Sequence, residues 1–178
     1  MHQSNKEHTA SAQKMLSGIA KVINLFFRRH LIGFGTALEC MDGRVQGATR
    51  KWTKRMFGVR YVDIITQPGI NKVLAENTDI PILENIKTML WISIKDHGSR
   101  TIVAAAHHNC AGNPNEQEIQ IKHLRLAEKT IRNMIESLPL GELGITSEAI
   151  TIALLWINER WMPEAIPSKA PILTRIGA

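Results

Sequence analysis

The segment Cys40-Met41-Asp42-Gly43-Arg44 follows the first predicted β-strand, and the segment His107-His108-Asn109-Cys110 follows a later one. These two segments contain the only two cysteines among 178 residues. Thiolate sulfur and imidazole nitrogen are ligands that zinc prefers in proteins. Cys40, His107 and Cys110 therefore form a predicted set of three zinc ligands. Three protein ligands leave one of four tetrahedral positions open, which is typical of a catalytic rather than a structural zinc site.

Two charged residues, Asp42 and Arg44, lie directly beside the first predicted ligand. A guanidinium two residues away can keep the Asp42 carboxylate ionised through paired hydrogen bonds. The carboxylate would then orient a zinc-bound hydroxide for attack on a small electrophilic carbon, or would itself be the fourth ligand and close the site. Taken singly, each of these residues also has a structural explanation: a buried cysteine, a core histidine, a salt bridge within a loop. Their combination, in order and at strand ends, favours a metal.

The composition is that of a soluble globular protein, with 44% hydrophobic and 21% charged residues. No apolar stretch approaches the roughly 18 residues of a membrane span, so no membrane partner is expected. The formal charge is +6, but aromatic residues make up only 5% of the chain and the basic residues are scattered. We therefore expect no nucleic-acid partner. Thiolate ligands without a recognisable secretory signal favour the reducing cytoplasm.

Alternating hydrophobic patterns predict an α/β fold in a single domain, with a central, mostly parallel sheet of about four strands flanked by helices. In such a sheet, sites form at the carboxyl ends of the strands, where both cysteine segments fall. The predicted division of the chain is a flexible N-terminus at 1–10, the zinc domain at 11–160 and an extended, proline-containing tail at 161–178. Predicted strands span 36–40, 59–66, 101–106 and 149–157, and predicted helices span 11–29, 48–57, about 79–98 and 115–137.

The first of these helices, over 11–29, has apolar residues on more than one face. A terminal helix of that kind has to bury two sides. It is therefore predicted to pack on a partner subunit as well as on its own domain, although an ordinary core helix would show the same pattern.

The pattern Cys40-x-Asp42-x-Arg44 followed by His107-x-x-Cys110 resembles the paired signature of the β-class carbonic anhydrases, over roughly residues 12–160. The longer segments, 40–46 and 110–114, resemble a divergent prokaryotic branch of that family. The resemblance implies that Cys40, His107 and Cys110 bind zinc and that Asp42 and Arg44 form the dyad beside it. It also implies a homodimer or a higher homo-oligomer, with N-terminal helices crossing onto the partner.

The chain departs from the family pattern at three places. Gly43 stands where family members usually have serine, and Ala111 stands where they have glycine. The segment Thr66-Gln67-Pro68-Gly69 replaces an Arg-Asn-Ala-Gly stretch.

The function implied by the resemblance is zinc-dependent, reversible hydration of carbon dioxide to bicarbonate by a zinc-bound hydroxide. Two alternatives stay open at the level of sequence. One is hydrolysis of carbon disulfide or carbonyl sulfide with the same ligands, since access to the pocket decides the substrate. The other is a non-catalytic, zinc-stabilised binding module.

Overall fold

The computed structural model describes residues 33–167, which form one sheet with helices packed against it. The strands run in the spatial order β2-β1-β3-β4-β5. The first four are parallel, and β5 is antiparallel to β4. The predicted α/β fold with a mostly parallel sheet is thus confirmed, and one short edge strand is added to it. The strands are β1 (Phe34–Glu39), β2 (Tyr61–Thr66), β3 (Thr101–His107), β4 (Thr151–Ile157) and β5 (Pro163–Ile166).

The helices within the described part of the chain are α1 (Gly43–Phe57), α2 (Ile70–Glu76), α3 (Ile80–Lys95) and α4 (Gln117–Glu136). Short 3-10 turns follow at Leu140–Leu143 and Ser147–Ala149. Helix α1 begins at Gly43 rather than at the predicted Ala48, because Asp42 Oδ1 accepts the backbone N–H of Arg44 and caps the helix at that point. Helix α2 was not predicted, since seven residues are too few for helical periodicity to be recognised.

The sheet separates two apolar clusters. Alternate residues of β3 contribute to opposite sides: Ile102, Ala104 and Ala106 join the cluster that contains residues of α2, α3 and α4. Val103 and Ala105 join the cluster that contains Val45 and Trp52 of α1. Because the strand is buried on both faces, its sequence is almost continuously apolar, as expected for a central parallel strand.

The order of the strands places the two cysteine segments side by side. Cys40 directly follows β1, His107 is the last residue of β3, and these two strands are neighbours in the sheet. The carboxyl ends of parallel strands lie at the same edge, so the two segments meet there.

Several predictions concern residues that the structure does not describe. The predicted helix over 11–29, its packing on a partner subunit and the flexible segment 1–10 lie outside the described residues. The predicted tail, 161–178, is described up to residue 167, and part of it forms β5. Within 33–167, no helix has the length and apolarity needed to cross a bilayer.

Candidate metal centre

The three predicted ligands converge at the sheet edge. One donor atom each from Cys40, His107 and Cys110 lies within 4.8 Å of the other two. All three side chains are buried, and the two sulfur atoms are 3.7 Å apart without a disulfide. Within 33–167, no second group of three histidine, cysteine or acidic side chains lies as close together.

The hydrogen bonding of His107 shows that this donor set fits a metal ion. Its Nδ1 donates to the carbonyl oxygen of His108 at 2.9 Å, which leaves Nε2 as the atom with a free lone pair. Nε2 is buried and has no hydrogen-bond partner among the described residues. A buried lone pair without a donor is costly unless a cation satisfies it, and a second hydrogen bond at Nδ1 is the usual way to orient a histidine ligand.

The two cysteines form a thiol–thiolate pair in which Cys110 keeps its proton and Cys40 is ionised. The hydrogen bond from Cys110 lowers the pKa of Cys40 to about 3, helped by the adjacent His107 ring and by the backbone N–H groups of Gly69 and Asp42. The same thiol–thiolate contact, together with burial, raises the pKa of Cys110. The two shifts are opposite because one thiol donates to the other. For Cys110 to be ionised beside the Cys40 thiolate, a positive charge has to lie next to both sulfur atoms, and a divalent cation would provide it.

Asp42 and Arg44 form the predicted ion pair beside these ligands. Arg44 Nε donates to Asp42 Oδ1 at 3.0 Å, and Nη2 donates to Oδ2. Hydrogen bonding to Arg44 is the main reason why the pKa of Asp42 is lowered to about 2. The carboxylate is therefore ionised at any physiological pH. Asp42 does not belong to the group of donor atoms that lie within 4.8 Å of one another.

A contact between two glycines holds the ligand loops together. An added Cβ on Gly69 would lie 2.3 Å from the backbone carbon of Gly112, and φ of Gly69 is +57°. The loop before α2 and the loop after Cys110 thus touch backbone to backbone. This contact brings N–H groups to the sulfur atoms: Gly69 donates to Cys40, and Gly112 and Asn113 donate to Cys110.

Sequence reasoning missed Glu39, which precedes the first ligand and is fully buried. Neither carboxyl oxygen has a hydrogen-bond partner among the described residues, and the hydroxyl of the nearby Thr49 donates to the Val45 carbonyl. Burial is the main cause that raises the pKa of Glu39 to about 7. An acidic residue in an apolar strand is visible in the sequence, but its depth is not.

Sequence reasoning also missed Trp161, in the turn between β4 and β5. The Arg44 guanidinium carbon lies 4.4 Å from the centroid of its indole ring. The His107 ring centroid lies 6.3 Å away. The spacing of the two sequence motifs gives no sign that Trp161 lies beside Arg44 and His107.

Comparison with known proteins places this site in a family. The model of a family described as "Putative carbonic anhydrase" matches residues 32–167, which include all five residues of the two motifs. The chain belongs to this carbonic anhydrase family. The family resemblance predicted from the two motifs is confirmed. No curated protein sequence matches the chain.

Similar solved structures are also carbonic anhydrases. One is a chain of the two tetrameric β-carbonic anhydrases of the ascomycete Sordaria macrospora, with 11% identity, a TM-score of 0.46, and coverage of 92% of this chain and 98% of that one. Another is the β-carbonic anhydrase CafD of Aspergillus fumigatus, with 13% identity, a TM-score of 0.47, and coverage of 76% and 90%. Because these scores are low, the assignment rests on the family match alone.

Proposed function

We propose that the protein is a zinc-dependent carbonic anhydrase that interconverts carbon dioxide and bicarbonate. The observation that carries this proposal is the convergence of Cys40, His107 and Cys110 beside the ionised Asp42–Arg44 pair. Membership of the carbonic anhydrase family supports the same reaction.

The sulfur atoms of Cys40 and Cys110 and Nε2 of His107 are the atoms that would hold the zinc ion. Two thiolates and a neutral imidazole are soft ligands, and their charge balances that of a divalent cation. Three protein ligands leave a position for a small molecule. When bound there, zinc supplies the Lewis acidity that makes water nucleophilic near neutral pH.

Asp42 orients the reacting water. Arg44 keeps its carboxylate ionised, so Asp42 is only an acceptor of hydrogen bonds at physiological pH. By accepting the O–H of the attacking water, Asp42 turns an oxygen lone pair toward the carbon of carbon dioxide. In the reverse direction, Asp42 accepts a hydrogen bond from the O–H group of bicarbonate. The site therefore favours bicarbonate over anions that have no O–H group to donate.

Assembly and location are part of the proposal. The broad apolar pattern over 11–29 supports a homodimer or a higher homo-oligomer. Two cysteines used as thiolate ligands support a cytoplasmic location. The mass of the protein in solution, measured by light scattering, tests the first point: a monomer at micromolar concentration would contradict it.

The test of the function is metal content combined with stopped-flow hydration of carbon dioxide, from roughly pH 6.5 to 9. We expect one zinc per chain, turnover that rises with pH, and loss of both in Cys110→Ser. Zinc without hydration, but with release of hydrogen sulfide from carbon disulfide or carbonyl sulfide, would identify the sulfur-substrate hydrolase. Zinc without any turnover would identify a non-catalytic module. A chain that binds no zinc would contradict the metal site itself.

A further inference from the structure

Arg44 needs more than its ion pair to be held in one position. Its side chain is 52% exposed, and that of Asp42 is 21% exposed. Ion pairs this open to water are screened and contribute little to ordering long side chains. Yet both N–H groups of Arg44 that face Asp42 have to stay in one plane for paired hydrogen bonds. A second contact that fixes the plane of the guanidinium is therefore required.

Trp161 provides that contact. The guanidinium carbon of Arg44 lies 4.4 Å from the centroid of the indole ring, a distance at which a cation is attracted to the ring. The same ring packs against the apolar cluster that contains Cys40 and Cys110. One tryptophan thus touches the charged dyad on one side and the surroundings of the metal ligands on the other.

The backbone of Trp161 is held in an unusual conformation that places the ring there. Its φ is +58°, in the left-handed region that bulky residues rarely adopt. A network around Asn158 maintains it: the side-chain oxygen of Asn158 accepts the N–H groups of Arg160 and Met162, and its side-chain nitrogen donates to Glu164 of β5. The N–H of Trp161 donates to the Asn158 carbonyl at 2.9 Å. Strain maintained by so many bonds is typical of a functional position.

The turn that contains Trp161 is also tied to a ligand loop. The N–H of His108, next to the ligand His107, donates to the carbonyl of Ile157 at the end of β4 at 2.8 Å. The strand that leads into the Trp161 turn and the loop that contains the ligands are therefore fixed to each other.

We propose that Trp161 is a positioning residue of this site, whose indole ring holds the Arg44 guanidinium in the orientation that pairs with Asp42. The positioning itself depends only on the contacts above. Its consequence for turnover rests on the proposed function.

Nuclear magnetic resonance of arginine-labelled protein tests the positioning without any turnover. In the wild type, the ring current of Trp161 should shift the side-chain signals of Arg44 upfield, and Arg44→Lys identifies those signals by removing them. Trp161→Leu should return them toward ordinary arginine positions, whereas Trp161→Phe should keep part of the shift. The matched control is Trp91→Leu, which removes another tryptophan near a cation, Lys95, on α3.

A second variant keeps the test decisive if Trp161→Leu does not fold. Asn158→Ala leaves the indole in the chain but removes the bonds that hold the turn, so it should also abolish the shift. Unchanged Arg44 signals in Trp161→Leu, or in Asn158→Ala where the former does not fold, would overturn the proposal.

Hydration rates then test the consequence, with zinc content measured in each variant. Trp161→Leu should lower kcat about twofold to fivefold at unchanged zinc content, the size expected from one exposed cation–ring contact, and Trp161→Phe should restore most of it. If the wild type does not hydrate carbon dioxide, the proposed function fails, but the Arg44 signals still decide whether Trp161 positions the dyad.

Discussion

Each carboxylate oxygen of Asp42 accepts hydrogen bonds from Arg44, and Oδ1 also caps helix α1. One residue thus begins the helix, pairs with the arginine and lies beside the metal ligands. The first two roles depend on spacing alone, because a cap bonds to the second residue of its helix and that residue is Arg44. The pairing of Arg44 with Asp42 is therefore a local structure, whereas the orientation of the guanidinium also depends on Trp161.

Asp42→Asn should retain zinc and lose most of the hydration activity. The amide is nearly the same size, but it can donate as well as accept, so it no longer orients water in a single way. We expect kcat to fall about 100-fold or more, the usual size for a positioned acid–base group. Asp96→Asn, at the exposed end of α3, is the control and should behave like the wild type. A wild-type rate in Asp42→Asn would remove Asp42 from the mechanism.

At the scale of elements, the site depends on how two loops meet. The loop after β2 and the loop after Cys110 touch at Gly69 and Gly112, and their N–H groups donate to the ligand sulfurs. The segment 66–69 is where the chain departs from the usual family pattern. Position 69 in this segment has to be glycine, because any side chain there would overlap the backbone of Gly112 in the loop after Cys110.

Gly69→Ala should therefore destabilise the fold and weaken zinc binding together. Gly58→Ala is a matched control, since Gly58 also has a positive φ (+66°) but would place its Cβ in open space. A positive φ alone costs about 1 kcal/mol for alanine, so Gly58→Ala should lose about that much. Gly69→Ala adds the overlap and should lose about 3 kcal/mol or more in the free energy of unfolding. Equal losses in the two variants, measured by chemical denaturation, would show that the loops do not need this close contact.

For the whole molecule, the buried Glu39 is a source of instability that grows with pH. Its pKa is raised from 4.5 to about 7 in the folded state, mainly by burial. Between these two values the folded protein binds more protons than the unfolded chain, so the free energy of unfolding falls as pH rises. Well above pH 7, Glu39 is ionised in both the folded and the unfolded state, and the free-energy cost of burying its charge no longer changes with pH.

Glu39→Gln should remove that dependence. The variant should be more stable than the wild type at pH 8 and should lose this advantage toward pH 5, a change of about 1–3 kcal/mol in the difference between them. Denaturation across this range at matched metal content measures it. Glu84→Gln, on the exposed side of α3, is the control and should follow the wild-type curve. Parallel curves for the wild type and Glu39→Gln would contradict the raised pKa.

The sequence by itself determined the parallel α/β sheet and the residues that meet at its edge. Strand periodicity and the spacing of the two cysteine segments are local, and parallel strands necessarily bring their carboxyl ends together. Only the tertiary structure decided three further features: the depth of Glu39, the contact of Gly69 with Gly112, and the stacking of Trp161 on Arg44. Each depends on residues that are far apart in the chain and become neighbours only when the sheet, its helices and its edge strand have packed.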